Sequence, residues 1–267
     1  MNITFSSCFY IIKSKFEPNI YIEWMNNLIS IVNKFNLVIY TDANSLKYIN
    51  TRQNPKIKVI LKPIDTFYNR RYADNWIENH MKNPLLNNVV DWKVNMLWSE
   101  KVWFVNETIK QQYFETALHG WCDIGYFRNR ECDLNTNKLG NWPNPLALVN
   151  IDPSKIHYAC VNNDDTFLNH IHSIVNTKNE HGLPCQEIPP FINCIAGGFF
   201  IAHKDKIDWW TKTYDAKLKL YFDNKRLVKD DQIIVTDCIL TDIDNFTIYR
   251  ENDSIYDNWF MFQRILL

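Results

Sequence analysis

The stretch from Thr4 to Leu61 limits the possible fold more than any other part of the chain. Thr4-Phe5-Ser6-Ser7-Cys8-Phe9-Tyr10-Ile11-Ile12 is an apolar-rich run of strand length. Beyond Pro18, residues Trp24, Met25, Leu28, Ile31, Val32 and Phe35 recur at the spacing of one helix face. Leu37-Val38-Ile39-Tyr40 reads as a second strand stopped by Thr41-Asp42. A short helix over 45–49, a turn at Asn54-Pro55 and a third strand, Ile57–Leu61, complete the stretch. This β-α-β-α-β order predicts a parallel sheet covered by helices.

The rest of the chain extends that reading. Residues 69–110 carry a Trp-rich helical pattern, and Thr116–Cys122 reads as a strand ending at Asp123. Residues 139–145 mark irregular backbone, 156–161 another strand, and 162–190 a long polar surface excursion suited to a lid. An apolar run over 192–202 precedes a helix over 204–221 striped by Ile207, Trp210, Tyr214, Leu218 and Tyr221. A helix opening at Asp230-Asp231-Gln232 and an edge strand at 246–250 follow. No linker, repeat or low-complexity tract divides the 267 residues, so the expected architecture is one α/β globule with a Rossmann-like mixed or parallel sheet flanked by helices.

Composition narrows the functional classes. A net charge of -1 offers no bulk positive field for phosphate backbones, which argues against a nucleic-acid partner. The N-terminal segment lacks a signal-peptide pattern, and no run reaches the roughly 18 apolar residues of a membrane span, so the expectation is a cytoplasmic chain with no integral membrane segment. Seven cysteines without a C-x-x-C pair give no zinc or disulfide framework. Six glycines, where average usage of ~7% would supply roughly eighteen, suggest that each stands where a side chain cannot fit.

Four segments could carry chemistry. Trp121–Arg128 places Asp123 at a strand's carboxyl end, where α/β folds bind ligands, with Gly125 close behind. Asp is a hard oxygen ligand for Mg²⁺ or Mn²⁺ and could hold a metal against a diphosphate. A turn-capping Asp with Arg128 as ion-pair partner accounts for the same residues. Gly197-Gly198 inside an apolar run suggests close approach of a ligand or another backbone. Of Asp230 and Asp231, one can cap the helix and the other can act as a general base, or both can serve the helix dipole alone. Arg70, Arg71 and Lys101 could bind phosphate or sit as exposed helix charges. The histidines lack H-x-x-x-H spacing.

In combination these segments resemble a family. Thr4–Tyr10, Tyr21–Trp24, Leu37–Thr41, Asn95–Lys101 and above all Trp121-Cys122-Asp123-Ile124-Gly125-Tyr126-Phe127-Arg128, with Gly197-Gly198-Phe199 and Asp230-Asp231-Gln232, resemble the HtrL/YibB-like proteins, which are similar to GT-A glycosyltransferases. The resemblance implies a nucleotide-sugar-binding half over about 1–125 and an acceptor-binding half over about 126–267. It implies a UDP- or GDP-sugar donor, a glycan acceptor, and Mn²⁺ or Mg²⁺ at Asp123, which takes the place of the first Asp of a D-x-D motif. Gly125 stands where the second acid would be, so a single carboxylate with the diphosphate, or Lys101 or Arg128 without metal, would balance the charge. Phe5, Ser6, Ser7 and Asp42 would hold base and ribose. Arg70, Lys101, Cys122, Gly197 and Gly198 would complete the donor side, with Asp231 as base and Asp230 behind it. Inverting and retaining outcomes both stay open. One rival, a sugar-phosphate nucleotidyltransferase, would need a Gly-rich loop after the first strand, where Ile11-Ile12-Lys13-Ser14-Lys15 has no glycine. The other is a non-catalytic glycan-binding or assembly protein.

Overall fold

A computed structural model describes residues 2–251 and 255–267. The chain begins β1 (Ile3–Phe9), α1 (Pro18–Ser30), β2 (Asn36–Thr41) and β3 (Ile57–Leu61). Then come α2 (Ala73–Met81), α3 (Trp92–Ser99), α4 (Lys101–Lys110) and β4 (Leu118–Cys122). The second half runs α5 (Pro145–Val149), β5 (Ile156–Ala159), α6 (Asp165–Asn176), β6 (Phe199–His203), α7 (Lys204–Asp223), α8 (Asp231–Thr241), β7 (Phe246–Tyr249) and α9 (Phe262–Ile265). The strands form one seven-stranded sheet in the order β3-β2-β1-β4-β6-β5-β7. β1, β2, β3 and β4 are mutually parallel, β6 runs antiparallel to β4 and β5, and β7 is parallel to β5. The expected α/β globule with a mixed sheet is therefore present.

The strand patterns explain the layering. All seven residues of β1 are buried, as a strand covered on both faces requires. Two of its polar positions are satisfied laterally: Thr4 Oγ1 lies 2.8 Å from Thr116 Oγ1, and Ser6 Oγ lies 2.8 Å from Thr108 Oγ1, whereas Ser7 Oγ is buried without a hydrogen-bond partner among the described residues. Alternate side chains enter opposite layers. Phe5 packs with Phe35, Trp142 and Phe199 beneath α1, while Cys8 joins the layer of Tyr40, Phe104 and Trp121 beneath α4.

Two local expectations needed correction. The helical pattern over 69–110 is broken, because Pro84 cannot continue α2 and Asp91 starts α3 afresh by accepting from the Lys93 amide at 2.9 Å. The polar excursion over 162–190 contains α6, capped by Asp164, with Ile171, Ile174 and Val175 buried against the core. Its flanking Asn, His and Pro residues concealed that stripe. The C-terminal segment, for which no element is expected from the sequence, buries Phe260, Met261, Phe262 and Leu266, and the Phe262 carbonyl accepts from the Trp142 indole at 2.9 Å.

Glycine scarcity proved informative. A β-carbon on Gly120 would lie 2.2 Å from the Phe200 carbonyl oxygen in β6, and one on Gly125 would lie 2.7 Å from the Trp24 ring. Gly182 has open space around it but a left-handed backbone, φ 77°, that favours glycine, and only Gly140 escapes the rule. Gly120→Ala should destabilise the fold by about 3 kcal/mol through overpacking between two strands, read as a lower urea midpoint with unchanged slope.

Candidate functional site

The chain leaves β1 toward β2 on one side and reaches β4 on the other. Such a reversal opens a crevice at the carboxyl ends of the strands. A cavity of about 430 Å³ occupies this place, walled by residues 8–12 at the end of β1 and just beyond it, by Asp123 to Tyr126 after β4, by Gly197-Gly198 before β6 and by Asp230 to Gln232 at the start of α8. Asp123 follows the last residue of β4 and keeps its side chain 38% exposed.

Lys101 lies at the centre of the polar groups. It is the first residue of α4, and Glu100 anchors that end by accepting from the Tyr68 amide at 2.7 Å and the Asn69 amide at 3.0 Å. Burial pushes the Glu100 carboxyl up to about 7, against the pull of those bonds. Lys101 Nζ donates to the Gly197 carbonyl at 2.8 Å and pairs with Asp231 Oδ2 at 3.0 Å and Asp123 Oδ1 at 3.3 Å. Burial opposes its charge, but the two carboxylates outweigh that and hold its pKa above the ordinary lysine value. Trp121 Nε1 donates to Asp123 Oδ1 at 2.5 Å, and the Asp123 amide donates to the Gly198 carbonyl at 2.9 Å.

The paired glycines make room for the carboxylates, most tightly at Gly197. A β-carbon on Gly197 would stand 2.9 Å from Asp231 Oδ2, and one on Gly198 would stand 3.2 Å from Asp123 Oδ2. The two acids at the head of α8 divide their work. Asp230 is the cap, accepting from the Gln232 amide at 3.2 Å and pairing with Lys229 at 3.0 Å. Asp231 caps nothing, faces Lys101, and is lifted by burial to about 6 despite that lysine.

The structure brings Lys101, Asp123, Gly125, Arg128, Gly197, Gly198, Asp230 and Asp231 to one cavity and leaves Phe5, Ser6, Ser7, Asp42, Arg70, Arg71 and Cys122 out of it. Phe5 is in the aromatic layer beneath α1, Ser6 is bonded to Thr108, and Ser7 is buried in mid-strand. The carboxyl end of β1 reaches the cavity only from Cys8 onward. Cys122 points into the layer opposite Trp121 because neighbouring strand residues alternate. Asp42 accepts from the Ser45 amide at 2.7 Å and closes a turn. Arg70 pairs with exposed Asp65 at 3.3 Å, and Arg71 pairs with Asp215 on α7. Arg128 is not the partner of Asp123, since Lys101 holds that place.

Lys15, Trp98 and Gln232 also line the cavity. Lys15 carries no motif, and its segment is informative in the sequence only for lacking glycine. The residues around Asp123 do not fit a resident divalent cation. One carboxylate oxygen is occupied by an indole N–H and an ammonium, and that ammonium stands between the two acids a metal would need. The one cluster of possible ligands among the described residues, Cys132, Asp133 and Asp257, has both carboxylates paired with Arg130 at 2.9 Å.

No family model matches the sequence, and no curated protein matches it.

Replacing the ammonium should expose the cost of burying the acids. Lys101→Met should lose about 3–5 kcal/mol of unfolding free energy near neutral pH, because a buried charge is left without its partner. Asp231 has its folded pKa raised, so protonation favours the folded state, and stability from this group falls as pH rises through about 6. The deficit of the variant should therefore be large at about pH 8 and shrink toward about pH 5, read from denaturant melts across that range.

Proposed function

We propose that the chain is a glycosyltransferase of the GT-A type, related to the HtrL/YibB-like proteins, that moves a sugar from a UDP- or GDP-sugar to a hydroxyl of a glycan acceptor. The observation that carries this reading is the convergence of Asp123 and Asp231, from β4 and α8, on one cavity at the sheet's reversal point. Ligands of nucleotide size bind at such points in open α/β sheets.

Asp231 suits the base. Its carboxyl is lifted to about 6, so the ionised form prevails at neutral pH while proton uptake remains easy. In the reaction the acceptor O–H gives its proton to the Asp231 carboxylate as the oxygen bonds to the anomeric carbon. The bond from that carbon to the diphosphate oxygen breaks, and its electron pair leaves with the nucleoside diphosphate. The proton then passes from Asp231 to solvent. Lys101 stays fixed between the acids and offsets charge gathering on the leaving group. Gly197 and Gly198 form a smooth wall for the donor sugar. Base and ribose fall to residues 8–12 in place of Phe5, Ser6, Ser7 and Asp42. No step runs through Mn²⁺ or Mg²⁺.

No helix among the described residues is long and apolar enough to cross a membrane, and all seven cysteines are free thiols. We assign the protein to the cytoplasm on the thiols.

The test is donor turnover. Incubation with a panel of nucleotide sugars should release nucleoside diphosphate from at least one. No release from any donor, together with no thermal shift by any nucleotide, would overturn the reading in favour of a glycan-binding protein. Asp231→Asn should lower turnover by about 10²–10⁴ while leaving donor binding intact. In the unsubstituted protein, turnover should climb as pH rises through about 6, where Asp231 loses its proton, and the variant should lack that limb.

A further inference from the structure

Four cations line the cavity: Lys15, Lys101, Arg128 and Arg130. Two are already neutralised. Lys101 is shared by Asp123 and Asp231, and Arg130 is held by Asp133 and Asp257. The fourth lining acid, Asp230, is paired with Lys229. Lys15 and Arg128 remain, and neither forms an ion pair among the described residues.

Arg128 is also preorganised. Its Nε donates to the Gly125 carbonyl at 2.8 Å, and its guanidinium lies 4.2 Å from the Trp24 ring centre and 5.0 Å from that of Phe260. Backbone and rings fix the plane of the group while its two terminal nitrogens keep their donors for a ligand. That arrangement matches an oxyanion that accepts two parallel hydrogen bonds. Lys15 Nζ rests over the Trp98 ring at 4.7 Å, a soft contact that leaves its three donors available. Burial lowers the pKa of the Arg128 guanidinium, a strain that a bound anion would relieve.

We propose that Arg128 and Lys15 form a diphosphate-binding pair that works without a divalent metal. The assignment deepens the transferase reading and rests on it for the identity of the diphosphate's owner, a nucleotide. The pair supplies mobile-ligand contacts from the cavity wall, and Lys101 supplies the fixed positive charge where a metal would otherwise sit. Gly125 belongs to the same device: a side chain there would strike Trp24, the ring on which Arg128 is stacked.

The test is calorimetric titration of the full chain with inorganic pyrophosphate, UDP and GDP, first in EDTA and then with Mn²⁺. Pyrophosphate and at least one nucleotide should bind in EDTA, and Mn²⁺ should leave nucleotide affinity within about twofold, since the charge is already supplied by side chains. Arg128→Gln and Lys15→Gln should each weaken pyrophosphate by about tenfold, the size expected for losing a charge-assisted hydrogen bond. Arg128→Lys should rescue only partly, because an ammonium lacks the planar fork. Lys15 is exposed, so its variant should melt like the parent and guards against loss of fold as the explanation. Binding that appears only with Mn²⁺, or variants that bind as well as the parent, would overturn the assignment. Pyrophosphate binding that depends on Arg128 and Lys15, with no nucleotide sugar turned over, would uphold the pair and remove the transferase reading; turnover that needs Mn²⁺ and ignores both variants would do the reverse.

Discussion

One ammonium group joins four separated parts of this protein. Lys101 begins α4, yet its Nζ bonds the carbonyl that precedes β6, the carboxylate that follows β4 and the carboxylate that opens α8. Bringing two acids to one cavity wall would be prohibitive without a charge of opposite sign among them. The contacts constrain one another. The glycines before β6 must be bare so that the acids can approach, and Glu100 must anchor the start of α4 so that the lysine arrives in place. Removing the ammonium leaves both carboxylates without their shared partner, and the cost falls chiefly on buried Asp231.

Around this point the fold is conventional in its physics. A fully buried central strand separates two aromatic-rich layers, and its Thr4 and Ser6 side chains bond sideways. The parallel strands β1, β2, β3 and β4 provide a rigid floor, and the ends of β1 and β4 supply the residues that meet the cavity. Rigid elements hold ionised groups in fixed geometry better than loops do, so a site with little slack is expected where three of its acids stand at helix or strand ends.

How much of this was legible beforehand depends on the range of the signal. Periodicity revealed α1, β2, β3 and α7 because their apolar residues repeat locally. It missed α6, whose three core residues sit among polar neighbours, and the C-terminal aromatics, which pack only once β6 and Trp142 are in place. The site was readable where a residue type is costly in its local setting: Asp123 after an apolar strand, and Gly197-Gly198 in an apolar run. Assigning Phe5, Ser6 and Ser7 to ligand contact failed on register, since the strand had to continue past them to reach its open end. Cys122 failed on parity, one residue from Asp123 and on the opposite face. Arg70 and Lys101 look alike in sequence. Only the long-range arrival of two acids distinguishes the buried one.

β6 runs against both of its neighbours, so it enters the sheet at the cavity end, where Phe199 meets Cys122. β5 leaves the sheet at that same end, and a bridge between Cys160 and Ile195 ties the two departures together. The connection over 160–198 is thus a closed excursion whose base is clamped, and of its residues Gly197 and Gly198 alone line the cavity. Insertions or deletions in its exposed turns would leave both strand register and the cavity wall as they are. A lineage could lengthen this excursion while the buried charges at its base stayed in place.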